Sequence, residues 1–209
     1  INDTLQGQLK RHVLVAPTDP AARNGLLFLW MSGSGAEPSN YDIIQQIAAA
    51  AGYPSISLAY DNETSVGDRC GVAGDPQCGP TAIGCDEDVR LEMIYGRDVH
   101  DSPCVDVPTA DAIEHRVLRL LQYLATSAPA TGAAGFLTQN GTAIDWRKIA
   151  VGGWSQGGGH AGLIARDHLV ARALFVSKAA GSVPCPLTVT DPAQCDLDGD
   201  GQLTAGNAD

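Results

Sequence analysis

Gly153-Trp154-Ser155-Gln156-Gly157 restricts the folding of this chain more than any other stretch. It follows the apolar run Ile149-Ala150-Val151 and continues into Gly158-Gly159-His160. A strand-like segment, a Gly-x-Ser-x-Gly pentapeptide and a small-residue segment able to start a helix therefore stand in succession. A bend that sharp forces its central serine into a strained backbone conformation, so the flanking positions must be nearly free of side chains. Gly153 and Gly157 meet that need. The bend lifts the Ser155 hydroxyl out of a sheet and leaves the Gln156 N–H at a helix N-terminus, where it can stabilise negative charge developing nearby. A plain glycine-rich turn is the alternative, because the chain holds 24 glycines.

The rest of the chain supplies strands and helices in alternation. Gln8 to Val15 alternates loosely and stops short of Pro17, as an edge strand does. Leu26-Leu27-Phe28-Leu29-Trp30 is an unbroken apolar run, suited to a parallel strand buried on both faces. Next comes the loop Met31-Ser32-Gly33-Ser34-Gly35-Ala36-Glu37-Pro38, then a helix capped by Ser39 or Asn40. Its apolar residues Ile43, Ile44, Ile47, Ala48 and Ala51 recur at helical spacing, and Gly52 ends it. Pro54 to Tyr60 is the next strand, which completes a strand–helix–strand crossover unit. Asp61 to Cys85 shows no period and reads as a long loop leaving the carboxyl end of a strand, a restrained segment able to wall a cleft. Asp86 to Tyr95 forms a helix with acidic residues in its first turn. Pro108 to Thr126 is amphipathic, with Ile113, Val117, Leu120, Leu121 and Leu124 on one face and Glu114, Arg116, Arg119 and Gln122 elsewhere. Gly158 to Leu169 gives a helix after the bend, and Ala171 to Ser177 another buried strand. The predicted class is α/β, a mostly parallel central sheet flanked by helices, with residues 1–180 as the core.

With Gly-Trp-Ser-Gln-Gly-Gly at the bend and a glycine-bearing loop after an earlier buried strand, residues 9–177 resemble the α/β-hydrolase superfamily. Within it they are similar to secreted bacterial serine esterases, lipases and polyester depolymerases whose nucleophile elbow reads Gly-x-Ser-Gln-Gly-Gly. The resemblance implies that Ser155 attacks carboxylic esters to form an acyl-enzyme, with the Gln156 N–H as one donor of an oxyanion hole. The other donor comes from the loop after the earlier strand: Ser34 N–H, with Gly33 N–H as the alternative. Trp154 and Trp30 flank the expected site. The family places an acid and then a histidine after the serine. Downstream of Ser155 the only histidines are His160 and His168, both within the helix that follows, and the His160 ring points along the helix flank. His100 and His115 stand upstream, against that order. The base and the acid therefore stay unassigned, with Asp191 one position for the acid. Either the chain is the N-terminal part of a longer enzyme, its sheet incomplete at the C-terminal end, or it is a catalytically inactive, scaffolding relative.

The composition excludes other classes. At 209 residues with 44% apolar, the chain can build one sizeable core. A net charge of −11 with 13 scattered basic residues argues against nucleic acid. No apolar run is long enough to span a membrane. Six cysteines, at 70, 78, 85, 104, 185 and 195, fit oxidised pairs in a secreted or extracytoplasmic protein. Cys185 with Cys195 is favoured on closeness, the other four stay an undetermined pair of bridges, and zinc is the competing reading. Asn62-Glu63-Thr64 and Asn140-Gly141-Thr142 match glycosylation acceptors, relevant only to a eukaryotic secretory route. Residues 181–209 form a Cys-flanked acidic insertion or tail. There Asp196, Asp198 and Asp200 supply alternating oxygens with Gln202 as a carbonyl ligand, the start of an EF-hand or dockerin-like calcium loop. The closing carboxylate position holds Asn207, with Asp209 beyond. A structural Ca2+ is expected, the alternative being a solvated acidic loop.

Overall fold

A computed structural model describes residues 3–5 and 8–177. Cys185, Asp191, Cys195, the proposed calcium ligands Asp196, Asp198, Asp200, Gln202 and Asn207, and the segment 181–209 as a whole lie outside the described residues.

The run of apolar residues at 27–31 becomes β4 (Leu27–Met31), buried at every position. It is the middle strand of a five-stranded mixed sheet ordered β3-β5-β4-β6-β7. β5 (Ser55–Leu58) and β6 (Ile149–Trp154) flank β4 in parallel, and β7 (Arg172–Val176) pairs in parallel with β6. Only β3 (Val13–Val15) runs antiparallel, against β5. The single edge strand expected over Gln8–Val15 is split: β2 (Gln8–Lys10) leaves the sheet to pair with β1 (Asp3–Leu5). Alternation along β4 divides the core into two layers. Leu27, Leu29 and Met31 join the large cluster formed with α3 (Cys85–Tyr95), α4 (Ile113–Ser127) and α5 (Gln156–Asp167). Phe28 and Trp30 face the other way, into a small cluster with Ala150 and the helix α1 (Asp42–Ala50).

Burial departs from the sequence expectation at three places. Of the apolar face expected on α1, Ile44 and Ala48 pack on the Phe28–Trp30 side of the sheet, but Ile43 is 67% and Ile47 64% exposed, and the residues fully buried are Gln45 and Ala49. Small Ala48 and Ala49 let the helix lie close, where the Ser55 hydroxyl donates to the Gln45 carbonyl (3.3 Å), and this rotation turns Ile43 and Ile47 outward. β7 was expected to be buried but is largely exposed, because it is the outermost strand of the sheet among the described residues. Arg116, placed off the apolar face of α4, is buried instead. Its charge is tolerated there because it donates to the Asp111 carboxylate and carbonyl, both at 2.6 Å.

The long segment after β5 carries a short helix that its lack of periodicity hid, α2 (Val66–Arg69), whose start is capped by the Ser65 hydroxyl accepting the Asp68 N–H (2.9 Å). Two disulfides restrain the segment, Cys70–Cys85 and Cys78–Cys104, which removes all four of these cysteines as zinc ligands. The bridges adjoin each other, with Cys85 Sγ and Cys104 Sγ 3.5 Å apart. The buried Glu92 carboxylate holds the following loop by accepting the Ser102 and Val107 N–H groups at 2.7 and 2.6 Å. Among the described residues, no helix is long and apolar enough to cross a membrane.

Cys70–Cys85 spans a sequence separation of 15. Loop-closure entropy for that span is worth about 3 kcal/mol. The double variant Cys70→Ser, Cys85→Ser is therefore expected to lose roughly 6–12 °C in Tm by calorimetry. A change below about 2 °C would mean that the segment is held by other contacts.

Candidate active site

Ser155 stands between β6 and α5 with φ 51° and ψ −115°, a conformation that an L-residue holds only under constraint. The constraint is visible at its neighbours. A Cβ on Gly153 would lie 2.2 Å from the Gly157 carbonyl carbon, and one on Gly157 would lie 2.1 Å from the Met31 carbonyl oxygen. The first turn of α5 thus rests on the end of β4, backbone against backbone. The Ser155 N–H donates to the Val176 carbonyl (2.8 Å) of β7, and the Ser155 carbonyl accepts the Gly159 N–H (3.1 Å), which starts the helix. A strained serine anchored from both sides leaves its side chain half-buried at the carboxyl end of the sheet. The expected tight bend at 153–157 is what the chain forms there; a relaxed glycine turn is not.

The loop after β4 lies directly against this bend. A Cβ on Gly33 would come within 3.4 Å of Ser155 Cβ and 3.0 Å of Trp154 Cδ1. Three of the four amides at 33–36 are committed: Gly33 to the Tyr41 hydroxyl (3.5 Å), Gly35 to the Asn62 carbonyl (2.6 Å) and Ala36 to the Gly33 carbonyl (3.2 Å). The fourth, Ser34 N–H, has no acceptor among the described residues, and neither has the Gln156 N–H. Of the two alternatives at this loop, Ser34 therefore keeps a donor to give.

Residues that sequence reasoning passed over hold the loop and the bend in place. Asn62 is buried, and its Nδ2 donates to the Gly33 and Ala36 carbonyls at 2.6 and 2.9 Å. Its Oδ1 accepts from the buried Lys10 ammonium, which is also paired with Glu63. So committed, Asn62 is a loop clamp and not a surface glycosylation acceptor; Asn140 is exposed. Arg90 is buried beneath α5, paired with Asp86 (2.6 Å), and donates to the Gln156 carbonyl at 3.0 Å. A Cβ at Gly159 would sit 2.3 Å from Arg90 Nη1, so the glycines of α5 also make room for this guanidinium. The position of Asn62 just past a strand's carboxyl end was the one signal available; Arg90 in an acidic helix offered none. Trp30, expected to flank the site, is enclosed in the core against Phe28 and Tyr41 (5.8 and 5.4 Å), while Trp154 is 42% exposed beside Ser155.

No described imidazole hydrogen-bonds the Ser155 hydroxyl. His160 is fully enclosed, its ring edge-on to Tyr60 at 5.4 Å, and burial, with the Arg90 charge adding to it, pushes its pKa well below the usual value. His168 caps the far end of α5, stacked on Trp146 (4.7 Å) with its Nε2 3.2 Å from the Tyr95 hydroxyl. His100 lies beside the Tyr95 ring (5.9 Å), and His115 is on α4. Among the described residues, no group of three or more His, Cys, Asp or Glu side chains could hold a metal ion.

Two measurements check this geometry. Glycine tolerates positive φ, so Ser155→Gly removes backbone strain worth about 1–3 kcal/mol, offset in part by added unfolded-state entropy. The variant is expected to be about 1 kcal/mol more stable in urea titrations, and a loss of stability would contradict the strained bend. His160, depressed by burial, stays neutral in the fold while the unfolded chain takes up a proton below about pH 6.5, so stability falls as pH is lowered. His12, whose Nδ1 accepts the Ala59 N–H (3.0 Å), is lowered by burial to about 4 and adds to the loss between these values. Each contributes up to about 1.4 kcal/mol per pH unit, and His160→Gln should remove its share of the slope between pH 6.5 and 4.5 whatever its effect on stability at pH 7. No family model, no curated protein and no solved structure matches this chain.

Proposed function

We propose that the protein is a secreted serine hydrolase that cleaves carboxylic esters through an acyl-enzyme on Ser155. One observation carries this reading: a serine held at φ 51° by glycines that admit no Cβ, beside two amides, Ser34 and Gln156, that have no acceptor among the described residues. A bend of that kind costs stability and gains a hydroxyl presented at the end of the sheet. In the proposed step, Ser155 Oγ attacks the ester carbonyl carbon and gives its proton to a general base. The carbonyl oxygen takes up negative charge against the Ser34 and Gln156 N–H groups, and the alcohol leaves. Water then cleaves the acyl-enzyme to free acid and serine. The α/β sheet and the position of the bend at its carboxyl end support the likeness to α/β-hydrolases. Two disulfides in the segment after β5 support an oxidising, extracytoplasmic setting.

Hydrolysis of p-nitrophenyl esters of short acids tests it, with Ser155→Ala as control and labelling by a fluorophosphonate as the second readout. Turnover is expected to fall at least about 100-fold in the variant. The phosphonate is expected on the peptide that carries Ser155. Turnover that survives Ser155→Ala, or an unlabelled Ser155 in material of intact mass, would overturn the reading and leave a non-catalytic, calcium-binding or scaffolding module in its place.

A further inference from the structure

Gln156 enters the proposed chemistry through its backbone N–H, yet its side chain makes a second set of contacts. The carboxamide is buried, and Oε1 accepts both the Ser34 hydroxyl (2.7 Å) and the Val66 N–H (3.2 Å). An amide N–H can only donate, so the atom facing Val66 must be the oxygen, which settles the orientation of the group. The other end, Nε2, is buried without a partner among the described residues. Such an orphan costs about 1–3 kcal/mol. An apolar side chain of the same length would avoid that cost but would strip the buried Val66 N–H of its acceptor, so stability alone does not decide for or against the carboxamide.

Its two donors come from different segments. Ser34 belongs to the exposed loop after β4, whose other amides are tied down and whose remaining free N–H is Ser34's own. Val66 begins α2, whose C-cap Cys70 is bridged to Cys85, the first residue of α3. α3 in turn carries Arg90, which donates to the Gln156 backbone carbonyl. Both carbonyl oxygens of Gln156 are thus held by two elements that one disulfide joins.

Resting on the assignment of Ser155 as nucleophile, we infer that the Gln156 carboxamide is a positioning group: by accepting the Ser34 hydroxyl it aligns the Ser34 and Gln156 N–H groups as one oxyanion hole, and through Val66 it fixes that hole to the disulfide-tied α2–α3 unit. The two residues whose amides form the hole are joined to each other by a side-chain bond. Neither side chain need touch substrate for this to matter, because a misplaced donor loses most of its effect on a transition state.

Ser34→Ala and Gln156→Met each delete the bond and keep both backbone donors. In p-nitrophenyl ester hydrolysis each is expected to lower kcat by about 10–100-fold with KM within about twofold. The double variant should be no slower than the worse single, since both remove the same contact. Ser34→Thr, which retains the hydroxyl at an exposed position, should recover most of the Ser34→Ala loss. Tm measured on every variant separates a folding loss from the kcat effect: Gln156→Met removes an unpaired buried NH2 and leaves the Val66 N–H without its acceptor, so the two costs offset and Tm should stay within about 4 °C of wild type. Losses that multiply in the double variant, a loss confined to KM, or Ser34→Ala turnover within about twofold of wild type would overturn the positioning role while leaving Ser155 chemistry intact. Wild-type protein with no Ser155-dependent turnover would overturn the hydrolase reading, and this inference with it.

Discussion

The contact between the first turn of α5 and the end of β4 governs the rest of the molecule. Backbone meets backbone there, at Gly157 and the Met31 carbonyl, with no room for even one carbon more. Because the helix sits this low, the residue that joins it to β6 has to turn through positive φ, and that residue is Ser155. The same approach brings the loop after β4 under the serine and puts the helix N-terminus beside it. Close packing of this kind is stiff, so small shifts are resisted and the angle between hydroxyl and amides is held.

What holds the loop is polar and comes from distant parts of the chain. The Asn62 Nδ2 donates to two carbonyls of the loop, its backbone carbonyl accepts the Gly35 N–H, and Lys10 fixes the orientation of its amide. Arg90 reaches the bend through the Gln156 carbonyl, its charge balanced by Asp86 one helical turn away. A buried guanidinium with a carboxylate and a carbonyl as partners tolerates little movement, since sliding α3 would leave a charge without a counterpart. These groups act on the site without lining it.

Much of the frame could be read from the chain because apolar periodicity reports burial directly. The run 27–31 became the central strand, and Gly-x-Ser-x-Gly became the strained bend, because each pattern has few other physical solutions. Periodicity misled in part at α1, where the contact with the sheet rests on Ile44 and Ala48 and leaves Ile43 and Ile47 in water. It also misled at β7, since an apolar strand looks the same in sequence whether a neighbour covers it or not. Long-range polar pairs left almost no pattern: Asn62 is marked only by its place just past a strand's carboxyl end, and nothing near Arg90 announces Gln156. The cysteine pairing was equally opaque, because it depends on how the segment at 61–84 folds back and not on spacing along the chain.

The closeness of the two bridges has a bearing on how the chain reaches its oxidised form. A thiolate freed at Cys85 is already in contact range of Cys104 Sγ, a sulfur of the neighbouring bridge. Attack there forms Cys85–Cys104 and releases Cys78, so reduction of one bridge spreads to the other by exchange and does not stop where it began. That isomer leaves Cys70 and Cys78 as free thiols within the segment they should restrain, and the packing of α2 against α3 is what holds Cys70 beside Cys85 in the native pairing.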